Sequence, residues 1–276
     1  MVFPLTNGVS ALGELAKSIR QSVVRSLARA GSGHLGGSMS SADILTTLYF
    51  SVMRHDPANP SCEGRDRFIL SIGHIAPVLY ATLAEAGYFL KEELLSLRMM
   101  GSRLQGHPGR DHGLPGLELS AGSLGQGLSV ATGIAIAAKM NRLDSRIYCL
   151  CGDGELQEGS VWEAAMSAAH YKLNNLVAVI DRNGVQIDGS TETVMGLEPL
   201  KKKWEAFGWD TLECDGHDFR TLMSAFQKTN VEQTRPSVII AKTIMGKGIK
   251  SIEGDYRWHG KAPSMEQAEG FIKELS

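Results

Sequence analysis

Cysteines, aromatic residues and unbalanced charge are all scarce in this 276-residue sequence. Its four cysteines form no CxxC pair, and two of them lie inside the apolar run IYCLC, which favours buried thiols over disulfides or a zinc site. The formal net charge of −2 supplies no basic field for nucleic acid or an anionic membrane surface. These deficits argue against a disulfide-stapled protein and against a nucleic-acid partner.

Long hydrophobic runs are missing as well. No stretch approaches the roughly 18 apolar residues of a membrane span, and the start, MVFPLTNG, lacks the charged and apolar regions of a signal peptide. There is no internal repeat and no low-complexity linker, while 43% hydrophobic residues suffice for a large core. We therefore expect a cytoplasmic globular chain in which residues 1–276 form a single domain, with no membrane partner.

Glycine, in contrast, is abundant, and the segment from Gly31 to Gly36 (GSGHLG) satisfies the dinucleotide fingerprint GxGxxG. That fingerprint binds a diphosphate only when a strand precedes it and a helix follows. The preceding LAKSIRQSVVRSLARA instead has the apolar spacing of a helix, and SADILTTLYFSVM predicts another helix with Ser40 or Ser41 as N-cap. The glycines therefore join two helices and present a histidine, His34, from a backbone-rich loop.

The chain divides into a mainly helical first part and an alternating second part. Apolar periodicity predicts helices over 11–30, 41–53, 75–87 and 91–99, with one short strand over 67–71. From residue 119, buried strands in SRIYCLCGDG, NNLVAVIDRNG, WDTLECDG and PSVIIAKTI alternate with helices in GQGLSVATGIAIAAKMN, EGSVWEAAMSAAHYKL and HDFRTLMSAFQKT. This order predicts the α/β class, with a parallel sheet covered by helices on both faces.

Oxygen-bearing side chains follow two successive strands. Asp153 comes just after one strand and Asn183 just after the next, so a single βαβ crossover should bring both to the carboxyl edge of the sheet. Together with a nearby carbonyl such as that of Val185, they are hard oxygen donors suited to Mg²⁺ or Ca²⁺. The glycines beside Asp153 would let backbone N–H groups approach a diphosphate. Two tight turns without a ligand are the alternative for these loops.

The segment from GDG to IDRN resembles the thiamine diphosphate motif, in which Asn follows GDG after some 25 to 30 residues. SGHLGG, SIGHIAPVLYA, QGHPGR, LSAGSLGQGLSVATGIAIAAK, DGHDF and KGKGIKSIEGDYRWHGKAP resemble the transketolase family in order and spacing. The resemblance covers nearly the whole chain but only the diphosphate-binding part of a full-length transketolase. It implies a thiamine-diphosphate-binding fold and the N-terminal subunit of a split enzyme.

The resemblance also implies roles for individual residues. Asp153, Asn183 and the Val185 carbonyl would bind the metal, with Mg²⁺ expected and Ca²⁺ or Mn²⁺ as substitutes. Cofactor contacts would come from His74, Gly122, Leu124, Gly154, Asn183 and His259. The sugar would face the catalytic histidines His34, His107 and His259.

Other histidines and acids have more ordinary interpretations. We expect DGHDF to be a capped helix start with Asp215 or His217 near the helix N-terminus, so that His217 is structural. We expect His170 to pack, and His55 and His112 to be exposed. Gly127 and Gly133 should allow close helix packing. Glu158 and Glu163 resemble acidic positions at the family's subunit interface, where a proton relay and a helix-dipole or salt-bridge role are equally open.

The resemblance implies transfer of a two-carbon ketol unit from a ketose phosphate to an aldose. The glutamate that activates the cofactor pyrimidine belongs to the family's next domain, so it implies a heterotetramer in which two copies of this chain meet two of a C-terminal partner subunit. Two alternatives remain open. The chain could be the diphosphate-binding subunit of a 2-oxo acid dehydrogenase-type enzyme, or a noncatalytic cofactor-binding homologue. SGHLGG and GSLGQG depart from the common family pattern and leave the ketose open, including a branched, deoxy or sulfonated one.

Overall fold

The computed structural model describes residues 8–229 and 234–276. Residues 1–7, which carry most of the segment used to argue against a signal peptide, lie outside the described residues. The strands are β1 (Arg67–Leu70), β2 (Ile147–Gly152), β3 (Leu176–Arg182), β4 (Val185–Gln186), β5 (Gly189–Ser190), β6 (Asp210–Asp215) and β7 (Ser237–Lys242). Five of them form one parallel sheet in the order β1-β2-β3-β7-β6, and β4 pairs with β5 in a small antiparallel ribbon.

Helices surround this sheet. They are α1 (Val9–Ala30), α2 (Leu35–Ser40), α3 (Ala42–Thr47), α4 (Ala76–Glu85), α5 (Gly127–Met140), α6 (Gly159–His170), α7 (Thr191–Val194), α8 (Leu200–Ala206), α9 (Phe219–Lys228) and α10 (Met265–Glu274). A π-helical turn, Leu48–Val52, continues α3, and short 3₁₀ turns follow several strands. Across residues 8–229 and 234–276, no helix is both long and apolar enough to cross a membrane.

Successive side chains of the central strands point to opposite faces of the sheet and enter separate cores. Tyr148 and Leu150 of β2 join the core formed with α1, α3, α4 and α9. Cys149 and Cys151 of the same strand join the core formed with α5, α6 and α8. The structure thus confirms the predicted parallel sheet with helices on both faces, and it confirms that these two thiols are buried and free.

The register of the sheet places the predicted site loops side by side. Gly152 pairs with Asp181, which pairs in turn with Ala241 of β7. The chain therefore leaves β2, β3 and β7 at the same edge, and the backbone N–H of Asp153 donates to the Asp181 carbonyl at 3.3 Å. This is the carboxyl edge at which parallel α/β sheets bind their ligands.

The predicted cap is correct in position but not in its hydrogen bond: Ser41 is the N-cap residue of α3, yet its hydroxyl does not cap the helix. The hydroxyls of Ser40 and Ser41 donate instead to Oδ2 of Asp181 at 2.6 and 2.7 Å. Thr243 also donates to this carboxylate, which is 1% exposed. A buried carboxylate recruits hydroxyl donors more strongly than a helix end does, because a buried charge without partners costs several kcal/mol.

Several local expectations also fail. The predicted helix 41–53 divides into α3 and the π-helical turn, and 91–99 contains only a 3₁₀ segment, Lys91–Ser96. Gly133 is exposed and a Cβ there would meet no described atom within 4 Å, and His170 is exposed. The capped helix start at DGHDF is confirmed, since the Asp218 side chain caps α9 directly after His217. His55 is buried because its ring nitrogens bond Tyr88 Oη at 3.1 Å and the Tyr49 carbonyl at 2.8 Å.

Candidate active site

A cavity of about 490 Å³ opens at the carboxyl edge of the sheet. Each of its walls comes from a different loop: the α1–α2 connection and the segments after β1, β2, β3 and β7 all contribute. Every residue that the sequence predicted for the site lines this one cavity: His34, His74, His107, Gly122, Leu124, Asp153, Gly154, Asn183, Val185 and His259. The sequence therefore predicted which residues meet, although their roles remain predictions.

Three of the histidines form a compact cluster. The ring centroids of His34 and His74 are 4.8 Å apart, those of His74 and His259 are 5.1 Å apart, and those of His34 and His259 are 5.7 Å apart. Local structure positions each ring: His34 is the N-cap residue of α2, and His74 lies in the 3₁₀ turn after β1. His259 ends the 3₁₀ turn after β7. Rings this close can contact one small ligand together.

Burial keeps this cluster uncharged at neutral pH. Burial, reinforced by His259 and Arg98, lowers the pKa of His34 to about 4. Burial, with His34 and His259 beside it, lowers the pKa of His74 to about 3. Burial likewise lowers the pKa values of His107 and His259. Neutral imidazoles can both donate and accept hydrogen bonds, which suits them to contact a sugar hydroxyl or carbonyl.

Two of these rings have unused hydrogen-bonding capacity. Nδ1 of His34 and Nδ1 of His259 are buried without a hydrogen-bond partner in the described part of the chain. Buried polar atoms nearly always have partners in folded proteins, and a catalytic role, a water or an ion is among the explanations of an exception. The two orphaned nitrogens therefore support a polar ligand in this cavity.

The metal-ligand prediction concerns the opposite wall of the cavity. Asp153 is 2% exposed, and its carboxylate accepts the backbone N–H of Gly154 at 2.8 Å and of Gly184 at 2.6 Å. Burial, followed by the charge of Asp181, raises the pKa of Asp153 to about 6. A buried carboxylate next to another carboxylate is stabilised by a cation.

The donors on this wall are hard oxygens. The described ranges contain no cluster of three His, Cys, Asp or Glu side chains that could bind a metal. The predicted set is instead mixed, with one carboxylate, the amide oxygen of Asn183 and the backbone carbonyl of Val185, and such a set suits Mg²⁺ that shares its remaining positions with phosphate and water. The residues present therefore fit a metal-bound diphosphate.

Glycine is required where the backbone approaches this wall. A Cβ on Gly154 would lie 3.0 Å from Cβ of Gln186, and one on Gly152 would lie 2.8 Å from Cγ2 of Ile72. The absence of these side chains lets the GDG turn pack closely against Ile72 and Gln186. Its three backbone N–H groups are bonded within the protein, to Glu155, to the Asp181 carbonyl and to Oδ1 of Asp153.

Sequence reasoning missed Glu155, a buried carboxylate in the wall of the cavity. Its oxygens accept Ser71 Oγ at 2.5 Å and the backbone N–H groups of Gly125 and Gly152 at 2.8 and 3.1 Å. It thereby fixes the AGSLG loop against the ends of β1 and β2. Its position directly after GDG was a signal that could have identified it.

Two arginines were also missed. Arg182, directly before Asn183, bonds Oδ2 of Asp153 at 3.0 Å. Arg98 has a left-handed backbone with φ of 59°, and its charge lowers the pKa values of His34 and His107 after burial has done so. A Cβ on Gly106 would lie 2.5 Å from Nη2 of Arg98, so this flexible guanidinium rests against the GHPG turn.

The remaining candidates lie apart from the cluster. His217 is outside the cavity, where Nδ1 bonds Asp43 at 2.8 Å and Nε2 accepts the Ile244 N–H at 2.8 Å, as its structural interpretation predicts. Glu158 is the N-cap residue of α6 and lines the cavity, whereas Glu163 is exposed on that helix. Neither glutamate forms an ion pair with another described residue, so the salt-bridge interpretation gains no support.

A parallel sheet with oxygen donors and glycine turns at its carboxyl edge is typical of α/β proteins that bind a phosphorylated cofactor through a divalent cation. Comparison with known proteins narrows this class. Residues 12–273 match the family described as "Transketolase, thiamine diphosphate binding domain". The chain therefore belongs to the transketolase family, through its thiamine diphosphate-binding domain.

Similar proteins include single subunits as well as complete transketolases. The chain is 44% identical over 257 residues to an apulose-4-phosphate transketolase subunit of Phocaeicola vulgatus, with 93% of this chain and 91% of that protein covered. It is 42% identical to 6-deoxy-6-sulfo-D-fructose transketolase subunit SqwG of a Clostridium species, with 94% of each covered. These matches identify the chain as a subunit of a thiamine diphosphate-dependent transferase, a transketolase, and favour this family over the 2-oxo acid dehydrogenase type.

Transketolases of known structure are much longer than this chain. The transketolase of Campylobacter jejuni superposes with a TM-score of 0.91 at 36% identity, covering 97% of this chain but only 43% of that one. Human transketolase, 41% identical, is likewise covered over 42% of its length. The chain thus spans less than half of the single-chain transketolases that it matches.

Proposed function

We propose that this chain is the diphosphate-binding subunit of a two-subunit transketolase, which transfers a two-carbon ketol unit from a ketose to an aldose. The observation that carries the proposal is the single cavity in which a histidine cluster faces a wall of oxygen donors. The family match over 12–273 supports treating the chain as one domain. A cytoplasmic location and a heterotetramer with two copies of each subunit belong to the proposal.

On the oxygen-donor wall, Asp153, Asn183 and the Val185 carbonyl would hold Mg²⁺, which Ca²⁺ or Mn²⁺ could replace. Gly154, Asn183, His74 and His259 would position the diphosphate, and Gly122 and Leu124 would shape the pocket for the remainder of the cofactor. Thiamine diphosphate, when bound, supplies the nucleophilic carbon and the electron sink for the carbon–carbon bond cleavage. The protein supplies position and electrostatics.

His34, His107 and His259 would contact the reacting sugar. A ketose carbonyl oxygen becomes more negative as the carbonyl is attacked, and an imidazole N–H pointed at it stabilises that charge. Since burial keeps these rings neutral at pH 7, each can also accept a proton from a sugar hydroxyl during the cleavage. The orphaned Nδ1 atoms of His34 and His259 are available for either task.

An anionic ketose is the substrate class that fits best. Arg98 is exposed, forms no ion pair with another described residue and donates only a 3.4 Å hydrogen bond to Ser32. It acts electrostatically on His34 and His107, so it lies on the substrate side of the cluster. The two subunit relatives named above act on sugars that carry phosphate or a sulfo group, which a guanidinium can bind.

A partner subunit would complete the site. Glu155, the buried glutamate of the cavity, already accepts three hydrogen bonds, from the Ser71 hydroxyl and from the backbone N–H groups of Gly125 and Gly152, which hold it in a structural position. It is therefore unsuited to activate a pyrimidine ring, and we expect the required glutamate to come from the partner. The chain alone should show negligible transfer activity.

The test is calorimetric titration of thiamine diphosphate with Mg²⁺ into this chain, alone and with its partner subunit, followed by a ketose–aldose transfer assay. Binding and turnover that need the partner would support the proposal. Turnover by the chain alone would contradict the two-subunit enzyme. Cofactor binding without turnover for any anionic ketose, with the partner bound, would favour the noncatalytic homologue.

A further inference from the structure

Arg182 joins the metal-binding wall to the segment that follows it. Its side chain is 11% exposed, and Nη1 donates to Oδ2 of Asp153 at 3.0 Å and to Oγ1 of Thr191 at 2.7 Å. Nη2 donates to carboxylate oxygens of Glu192 and Glu198 at 2.9 and 3.2 Å. The guanidinium is thus held from two sides and cannot rotate away from Asp153 without losing several bonds.

These bonds determine which oxygen of Asp153 remains available. A carboxylate oxygen accepts about two hydrogen bonds or ligands. Among the residues that the structure describes, Oδ2 already accepts Arg182 Nη1 and the Gly184 N–H, whereas Oδ1 accepts only the Gly154 N–H at 2.8 Å. Only Oδ1 therefore retains an open position for a cation.

Asn183 is restricted in the same way. Its Oδ1 accepts the Val185 N–H at 3.0 Å, which leaves one open position on that oxygen as well. Each side chain then offers a single oxygen. Mg²⁺ requires near-octahedral geometry with one oxygen per position, whereas Ca²⁺ accepts six to eight ligands and readily takes both oxygens of a carboxylate.

We propose that Arg182 is a positioning residue that forces Asp153 to bind the metal through Oδ1 alone, and thereby makes the site prefer Mg²⁺ over Ca²⁺. This inference rests on the proposed function, because it assumes that Asp153 is a metal ligand. The positive charge of Arg182 is compatible with a cation bound to Asp153, because Glu192 and Glu198 neutralise the guanidinium on its other side.

The opposite role is the main competitor. If Arg182 acted as a substitute cation, its removal would tighten metal binding, because the site would lose a positive charge. If it were merely structural, its removal would weaken Mg²⁺ and Ca²⁺ equally. The ratio of the two affinities therefore distinguishes orientation from competition and from general stability.

The experiment uses the complex of this chain with its partner, at saturating thiamine diphosphate. Mn²⁺ binding is followed by electron paramagnetic resonance, and Mg²⁺ or Ca²⁺ is titrated in as competitor. Arg182→Gln removes the guanidinium that donates to both Asp153 and the two glutamates. Arg182→Lys keeps the positive charge but reaches fewer acceptors, and it replaces the glutamine variant in the test if that variant fails to fold. Arg103→Gln is the matched control, because Arg103 forms a similar two-bond pair with Glu93 away from the cavity.

We expect Arg182→Gln to weaken Mg²⁺ binding about tenfold and Ca²⁺ binding by less than about threefold. A tenfold loss is at the low end of the affinity losses seen when a residue that orients a metal ligand is removed. Arg182→Lys should lower the Mg²⁺ preference less, and Arg103→Gln should not change it. Equal losses for both metals, no loss, or tighter Mg²⁺ binding would overturn the inference. Absence of cofactor-dependent metal binding by the unmodified complex would instead reject the proposed function together with it.

Discussion

The two edges of the parallel sheet carry cavities of similar size, about 490 Å³ at the carboxyl edge and about 450 Å³ at the amino edge. At the amino edge Arg54 pairs with Asp66 at 2.9 Å and with Asp144 at 3.0 Å, while Nε of Arg146 and Oδ1 of Asn175 lack partners among the described residues. At the carboxyl edge the unpartnered atoms belong to two neighbouring neutral imidazoles, and Asp153 keeps an open position beside Asp181. Both edges thus contain unpartnered polar atoms, and the contrast teaches that the kind of group, rather than volume or the presence of unpartnered atoms, distinguishes the candidate site.

Replacement of one histidine of the carboxyl-edge cavity should have the largest effect on activity. We expect His34→Gln to lower kcat about 10²- to 10⁴-fold, because a proton-transfer or oxyanion partner is lost, with little change in cofactor Kd. Steady-state kinetics of the complex with its partner, with calorimetry for the cofactor, provides the measurement. His55→Gln, at a fully bonded histidine, is the control that should lower stability but not kcat, and an equal kcat loss in both would contradict the assignment.

Removal of a carboxylate at each edge gives the next comparison. We expect Asp153→Asn to weaken Mg²⁺-dependent thiamine diphosphate binding by about 100-fold, since a proposed ligand should matter at least as much as its outer partners. Asp66→Asn should leave that affinity unchanged and lower the free energy of unfolding by about 1–3 kcal/mol, because Arg54 loses its partner. Calorimetric titration and denaturant unfolding of both variants test this, and normal binding by Asp153→Asn would refute the metal assignment.

Two glycines of α5 differ in how closely the surrounding residues pack against them. A Cβ on Gly127 would overlap the Ser71 side chain, whereas one on Gly133 meets nothing within 4 Å. We expect Gly127→Ala to lower the free energy of unfolding by about 1–3 kcal/mol and Gly133→Ala to raise it by about 0.5–1 kcal/mol, from the gain in helix propensity. Denaturant unfolding measures both, and similar values would mean that the approach of α5 to β1 is not tight.

The smallest expected effect is on acid stability. His34 and His74 have lowered pKa values in the folded state, so the unfolded state binds more protons and stability falls as pH drops through about 6.5 toward their folded values of about 4 and about 3. Between pH 7 and 5 without cofactor, Tm of His74→Gln should fall less than that of the unmodified chain, by about 2–4 °C. His112→Gln, at an exposed histidine, is the control, and a steeper fall for His74→Gln would contradict the buried neutral cluster.

Elements with strong local signals could be predicted from the sequence. Continuous apolar runs identified β2, β3 and β7, and the known handedness of βαβ units then placed Asp153 and Asn183 at one edge. The histidines followed from their glycine-flanked loops and from the family resemblance, which also supplied roles that spacing alone could not.

The failures share a physical cause, which is that long-range partners override local preference. Ser40 and Ser41 are good capping residues locally, yet a carboxylate about 140 positions later, Asp181, takes their hydroxyls. His55 looked exposed because the tyrosines that bury it are distant in sequence or on a neighbouring turn. Arg182 carried no local signal at all, because its importance depends on which oxygen of Asp153 remains open.

The neutrality of the histidine cluster has a consequence for the order in which ligands arrive. Burial removes the positive charge that imidazoles could have offered a diphosphate, while Asp153, Asp181 and Glu155 line or approach the same space. A free diphosphate would therefore meet negatively charged carboxylates on the floor of the cavity, where Arg182, the cation bonded to Asp153, is already paired with carboxylates. The cofactor should therefore enter as a preformed complex with its metal ion. A chelator that removes the metal should slow cofactor association, at concentrations too low to change the affinity of the histidine cluster for a sugar.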